Sequence, residues 1–274
     1  METSDFSPGR NTTRRKPLLS YKGLDRVSVL SLRGRLTIPF VCGTSHHARL
    51  SRIRGEADLI ERDGMWFLLQ TVELPEPPPT DVADYLGVDL GIVNLATDSD
   101  GTAHSGKTVH GLRRRHHRLR QRLQSKQTKS AKRLLKQRRR KETRFQRDVN
   151  HCLSKTLVTT AQRTGRGLAL EDLTGIRTRI RAQKPQRRVQ SSWAFTQLRQ
   201  FIEYKAKLAG VPLVLVDPRN TSRTCPVCGH CEKANRKTQV LFSCVRCFFS
   251  GNADTIAAEM IRRAAVNRPD VDAA

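Results

Sequence analysis

The sequence predicts an α/β fold whose mixed sheet carries a cysteine-rich insertion near its end and follows a small antiparallel β domain. Three observations predict it. From Tyr85 to Val216, apolar runs and helical stretches succeed one another as three strands, helix, strand, helix, strand. Before them stand only short alternating runs, cut off by Pro75-Glu-Pro-Pro-Pro-Thr80, a segment that suits neither a helix nor a sheet ladder. After them come two paired Cys-x-x-Cys motifs.

Taken in order, residues 1–17 are rich in Ser, Thr and Arg and read as a flexible basic arm. Residues 18–80 form the β domain, a partial barrel with its proline linker. Its runs Val27-Ser-Val-Leu-Ser-Leu32 and Met65-Trp-Phe-Leu-Leu69 alternate with turns such as Arg62-Asp-Gly64. Residues 81–220 form the core. Here Tyr85-Leu-Gly-Val-Asp-Leu90 and Ile92-Val-Asn-Leu-Ala-Thr97 are adjacent strands, and Asp100-Gly101 is a hairpin turn leading to a third. A basic helical segment spans 111–163, either one long helix or a helical hairpin, and Gly165-Arg-Gly167 ends it. The strand Leu168-Ala-Leu170 follows, then an amphipathic helix from Trp193 to Ala209, Gly210 as its stop, and the strand Val211-Pro-Leu-Val-Leu-Val216. This order is consistent with an RNase H-like sheet. Residues 221–250 are the cysteine-rich insertion, and 251–274 are a last core helix and tail.

Composition narrows the partner. The chain has 51 Lys and Arg against 25 Asp and Glu, a net charge of +26, which attracts polyphosphate. Arg113 to Arg147 hold 17 Lys and Arg and a single acid, Glu142. A solvated face normally mixes signs, so this run predicts nucleic-acid contact through Arg113, Arg114, Arg115, Arg118, Arg138, Arg139 and Arg140. No segment approaches the roughly 18 apolar residues that span a bilayer, and no apolar signal region follows the arm. The expectation is a cytoplasmic, nucleoid-associated protein with no membrane partner and an unassigned oligomeric state.

Cys225-Pro-Val-Cys228-Gly229 and Cys244-Val-Arg-Cys247 are separated by 15 residues, a spacing that lets two turns close on one Zn2+ through four thiolates. With four protein ligands the site is structural, a zinc ribbon. Cys231 is a spare thiol without an assigned role. Hydrolysis of phosphodiesters by two metals needs a few gathered carboxylates. Asp89 lies inside an apolar strand, Glu171 directly follows a strand, and Asp254 opens the helical stretch Asp254-Thr-Ile-Ala-Ala-Glu-Met-Ile261. Each has another reading: Asp89 as a turn residue, Glu171 as an ion-pair partner of arginines, Asp254 as a helix cap. Asp172 points to the opposite side, and Asp217 is held in reserve.

These residues carry a resemblance. From about Leu18 to Ala265 the chain resembles the OrfB/TnpB proteins of bacterial insertion sequences, relatives of type V CRISPR effectors. The matching pieces are Gly87-Val-Asp-Leu-Gly-Ile-Val-Asn-Leu-Ala-Thr97, Leu170-Glu-Asp-Leu173, Ser192-Trp-Ala-Phe195, Asp217-Pro-Arg-Asn-Thr-Ser-Arg-Thr-Cys-Pro-Val-Cys-Gly229, Asn235-Arg236 and Phe242-Ser-Cys-Val-Arg-Cys247. The resemblance implies a RuvC-type nuclease in which Asp89, Glu171 and Asp254 hold catalytic Mg2+. It also implies a guide RNA from the element's end and a matching target DNA as partners. Three departures stand out. The family-like part begins almost at once, which reads as an N-terminal shortening. Phe248-Phe249 replaces the glycine expected after Cys247 and is expected to distort the second turn, and Ile256 replaces an expected Asn. The rival expectation is a catalytically weak or inactive nucleic-acid-binding protein, or a truncated transposon remnant.

Overall fold

The computed structural model describes residues 18–62, 64–173 and 195–267. The expected arm 1–17, Asp63 of the expected turn, Ser192-Trp-Ala194 with the expected helix start, and the end of the tail lie outside the described residues. The chain divides into two units between Pro75 and Glu76.

In the first unit, β1 (Leu19–Lys22), β2 (Arg26–Ser31) and β3 (Gly34–Pro39) form an antiparallel sheet in that order. A single-turn α1 (Thr44–His47) leads to β4 (Ile53–Arg62) and β5 (Met65–Val72), which pair as a second, two-stranded antiparallel sheet. Val27 is buried, Tyr21 packs its ring edge on Phe40 at 5.8 Å, and the Tyr21 hydroxyl donates to Gln70 Oε1 at 3.3 Å.

The second unit is built on a five-stranded mixed sheet. Its strands are β6 (Tyr85–Asp89), β7 (Asn94–Asp98), β8 (Ala103–Ser105), β9 (Gly167–Glu171) and β10 (Leu213–Val216), in the spatial order β10-β9-β6-β7-β8. β6, β9 and β10 run parallel, while β7 and β8 are antiparallel additions. Between β8 and β9 lie α2 (Lys107–Lys126) and α3 (Lys129–Arg163). α4 (Phe195–Ala209) precedes β10, and α5 (Ala253–Val266) ends the described chain.

Strand alternation sorts the sheet's two faces. Leu86, Val88, Leu168 and Leu170 point to one side, where they pack with Leu153, Leu157 and Ala161 of α3 and Leu198 and Ile202 of α4. Ala169 and Val216 point to the other, against Ile261 and Ala265 of α5. Gly87 also faces α5. A Cβ there would stand 2.1 Å from Ala258 O and 2.6 Å from Arg262 N, so only glycine lets the helix lie this close.

Several elements differ in extent from the sequence reading. The strand expected from Ile92 starts at Asn94, because Gly106 N at the start of α2 donates to Val93 O at 2.8 Å. The strand expected from Val211 starts at Leu213. Pro212 has no N–H, and Val211 N instead closes α4 by donating to Ala206 O. Gly210 is the expected stop, with φ +67°. The basic segment resolves into the hairpin alternative: Gln127 turns at φ 51°, and the Thr128 hydroxyl caps α3 by accepting from Ala131 N at 3.2 Å. Among the described residues no helix is long and apolar enough to cross a membrane.

Candidate active site and metal centre

The register of the parallel strands places the carboxylates. Val88 pairs with Leu170, so the next residues, Asp89 and Glu171, end neighbouring strands side by side. Both share the face of Gly87 and Ala169, the face covered by α5. α5 runs antiparallel to β6 and brings Asp254, in its first turn, to the same end. Asp254 is not the cap of its helix, as one reading had it. The Asn252 side chain caps instead, accepting from Asp254 N at 2.9 Å and Thr255 N at 3.2 Å. Asp254 is thereby left with its carboxylate directed toward the sheet: Oδ2 accepts from Asn94 Nδ2 at 3.0 Å and Oδ1 from Arg236 Nη2 at 3.3 Å.

Asp89 feels the other two carboxylates. Burial pushes Asp89 up to about 7, and the negative charges of Glu171 and Asp254 push in the same direction, with Arg236 opposing. Glu171 is raised too, mainly by burial, against a hydrogen bond of 2.6 Å from the Thr221 hydroxyl and the charge of Arg236. The other acids point elsewhere. Asp172, one residue on and therefore on the opposite face, accepts from Arg199 of α4 at 2.9 Å. Asp217 is exposed and accepts from Arg219 Nε at 2.8 Å.

The site thus includes residues that sequence reading missed: Asn94, Thr221 and Arg236. All three fall within the family-like motif segments, but nothing in their spacing points at an acid 160, 50 or 18 residues away.

In the ribbon, the sulfurs of Cys225, Cys228, Cys244 and Cys247 lie within 4.8 Å of one another, with Cys225–Cys247 at 3.5 Å and Cys228–Cys244 at 3.6 Å. Four thiolates bound tetrahedrally to one Zn2+ stand about 3.8 Å apart, so the donor set fits that ion. Cys244 is held below the usual thiol range: burial works against this, and the backbone N–H groups of Cys247 and Arg246 bring it about. The two turns match. Gly229 N donates to Cys225 O at 3.0 Å, and Phe248 N donates to Cys244 O at 3.1 Å. The expected distortion of the second turn is absent, because Phe248 takes the conformation a glycine would, with φ +60° against +70° at Gly229. Buried Asn235 ties the loops together, donating to Arg223 O and His230 O and accepting from Val245 N at 3.0 Å. β11 (Leu241–Ser243) and β12 (Ser250–Asn252) complete the ribbon. Ile256, at the expected Asn, packs into its core beside Phe242, Cys225 and Ala253. Cys231 is exposed, outside the four-sulfur cluster and bridged to Thr224.

On the helical hairpin, Arg114, Arg115, Arg118 and Arg139 are exposed, while Arg113, Arg138 and Arg140 are half-buried. Glu142 is bound by His116 Nδ1 at 2.7 Å and by Arg120, joining α2 to α3 across a field of like charge.

A family described as "Probable transposase" (OrfB_IS605) matches residues 69–176, and one described as "Cas12f1-like, TNB domain" matches 195–261. The CRISPR-associated endodeoxyribonuclease Cas12f1 of Sulfoacidibacillus thermotolerans is 31% identical over 219 residues, covering 73% of this chain and 50% of that protein. The TnpB-like protein MJ0751 of Methanocaldococcus jannaschii is 37% identical over 118 residues, 43% of this chain and 42% of that one. The chain therefore matches about half the length of these relatives. A cryo-EM structure of a Cas12f1-sgRNA-target DNA complex superimposes with a TM-score of 0.55 at 20% identity, over 76% of this chain and 56% of that one, which is a likeness of fold. Two family matches follow one another along the chain, the first ending just past β9 and the second beginning with α4, and together with TnpB-like and Cas12f relatives they show that this chain is similar to the OrfB/TnpB proteins and the related type V effectors.

Proposed function

We propose that the chain is a transposon-associated, RNA-guided DNA endonuclease with an RNase H-like, RuvC-type core. The observation that carries this is the meeting of Asp89, Glu171 and Asp254 at one end of the sheet. There, burial and mutual repulsion raise Asp89 to about 7. Such a cluster suits divalent cations, which relieve the repulsion that makes the bare group unfavourable. Asp89, Glu171 and Asp254 would hold catalytic Mg2+, which when bound activates water for attack on a phosphodiester and steadies the leaving oxygen. Thr221 and Asn94 orient the Glu171 and Asp254 carboxylates through their hydrogen bonds. Arg236 brings positive charge from the ribbon to the same place.

Zn2+ on the four cysteines has a structural role, fixing the ribbon that carries Arg236. The basic hairpin follows phosphates of guide RNA and target DNA without reading their sequence, which base pairing supplies. The names of relatives agree with this chemistry: an endodeoxyribonuclease, and a fold neighbour captured with guide RNA and target DNA. With purified protein and its co-purified RNA, Mg2+ is expected to support cutting of matching DNA. Asp89→Ala and Glu171→Ala should each lower the cutting rate at least about a hundredfold while RNA affinity stays within about twofold, because neither residue lies on the basic hairpin. Undiminished cutting by Asp89→Ala would sink the assignment.

A further inference from the structure

The residue that follows the second cysteine of each ribbon turn sits in the left-handed region, at Gly229 with φ +70° and at Phe248 with φ +60°. That conformation disfavours any side chain with a Cβ, and a bulky one persists there only where something else favours it. Burial does not. The Phe248 side chain is 81% exposed, while Phe249 beside it packs against the ribbon core. The same two turns also expose Val227 and Val245. The ribbon that carries these apolar tips is basic: residues 221–250 contain five Lys and Arg and one acid, Glu232. The ribbon also reaches the carboxylate cluster through Arg236 and Asp254.

We infer that Phe248 is a base-stacking contact for single-stranded DNA, held on the second turn of the ribbon. An exposed ring on a basic surface complements the face of an unpaired base, whereas a duplex presents phosphates and hides its base faces. The inference rests on the nucleic-acid-binding part of the function proposed above and adds a residue to it. The left-handed backbone turns the ring outward from the chain, and the arginines and lysines of the ribbon supply the phosphate attraction that stacking alone lacks.

The test measures binding of the full chain to a short oligodeoxythymidylate and to a blunt hairpin duplex over a series of salt concentrations. The variants are Phe248→Leu, Phe248→Gly and Phe248→Trp, each first checked for bound zinc. The leucine and glycine variants are expected to bind the oligodeoxythymidylate roughly fivefold to a hundredfold more weakly, the loss of about one stacked base. The tryptophan variant should bind at least as well as the parent. The salt slope should be the same in all, since no charge is removed, and duplex binding should not change. Unaltered oligodeoxythymidylate binding by the leucine and glycine variants, or an equal loss on the duplex, would overturn the stacking role. If the parent protein binds neither probe, the nucleic-acid reading itself fails.

Discussion

Asp89 carries an energetic cost that grows as pH rises. Its carboxyl is raised from 3.8 to about 7, so the fold favours the protonated form. The stability this represents is present in full below the ordinary carboxylate range and is lost as pH climbs through about 7, at ~1.4 kcal/mol per unit of displacement and about 4 kcal/mol at most. Metal-free protein should therefore melt at a higher temperature at pH 5.5 than at pH 7.5. Asp89→Asn should flatten that dependence, and added Mg2+ should raise the melting temperature at pH 7.5 in the parent only. A parent whose melting temperature rises with pH over this range would contradict the electrostatics of the cluster. Phe248 supports a second prediction. Phe248→Gly should stabilise the ribbon by about 1 kcal/mol, because the left-handed cost disappears and the exposed ring gives up no burial. A melting curve shows this directly. At this scale the placement of Asp89 was legible, because a charge inside an apolar strand stands out. Asn94, Thr221 and Arg236 were not, because their hydrogen bonds to the acids join distant parts of the chain. The cap was legible in principle: Asn252 sits just before the helix, two residues ahead of Asp254, and it displaces the cap reading of Asp254.

Among the elements, the pairing of β6 with α5 does most to bring the acids together. Gly87→Ala would place a methyl 2.1 Å from Ala258 O and force α5 off the sheet, moving Asp254 away from Asp89. A loss of about 3 kcal/mol or more is expected in denaturant unfolding, and a loss under 1 kcal/mol would mean α5 does not pack so closely. The helical hairpin depends on Glu142, which accepts from both His116 and Arg120. Glu142→Gln removes the counter-charge, and amide exchange in α2 is expected to speed up several-fold while α5 stays protected. For the ribbon, chelation of Zn2+ should unfold residues 221–250 and expose Phe242, which is fully buried. A melting curve indifferent to chelator would remove the metal from the account. The ribbon was the most legible element, because two Cys-x-x-Cys pairs at this spacing have few other uses. The break between α2 and α3 was harder to read, since Gln127 turns left-handed without a glycine or proline to announce it and Thr128 is an ordinary-looking cap.

The chain combines a net charge of +26 with three carboxylates that the α/β core brings together. The order of elements and the α/β class were readable from apolar periodicity, because parallel strands buried on both faces leave dense apolar runs. The division between Pro75 and Glu76 falls on the proline segment. How the first unit's two separate sheets meet their partners was not readable, since their strands leave many apolar side chains exposed. The chain spans about half the length of the relatives it matches, so guidance by RNA is the claim most in need of a direct measurement. That measurement is to purify the protein at high salt from cells that carry its native downstream flank, sequence the RNA that stays bound, and challenge the complex with DNA matching it. The expected result is a discrete RNA with a constant structured part and a variable end, and Mg2+-dependent cutting of the matching DNA that Asp89→Ala abolishes. Random RNA fragments with no matched cutting would contradict it, leaving a basic protein that binds polyanions without instruction.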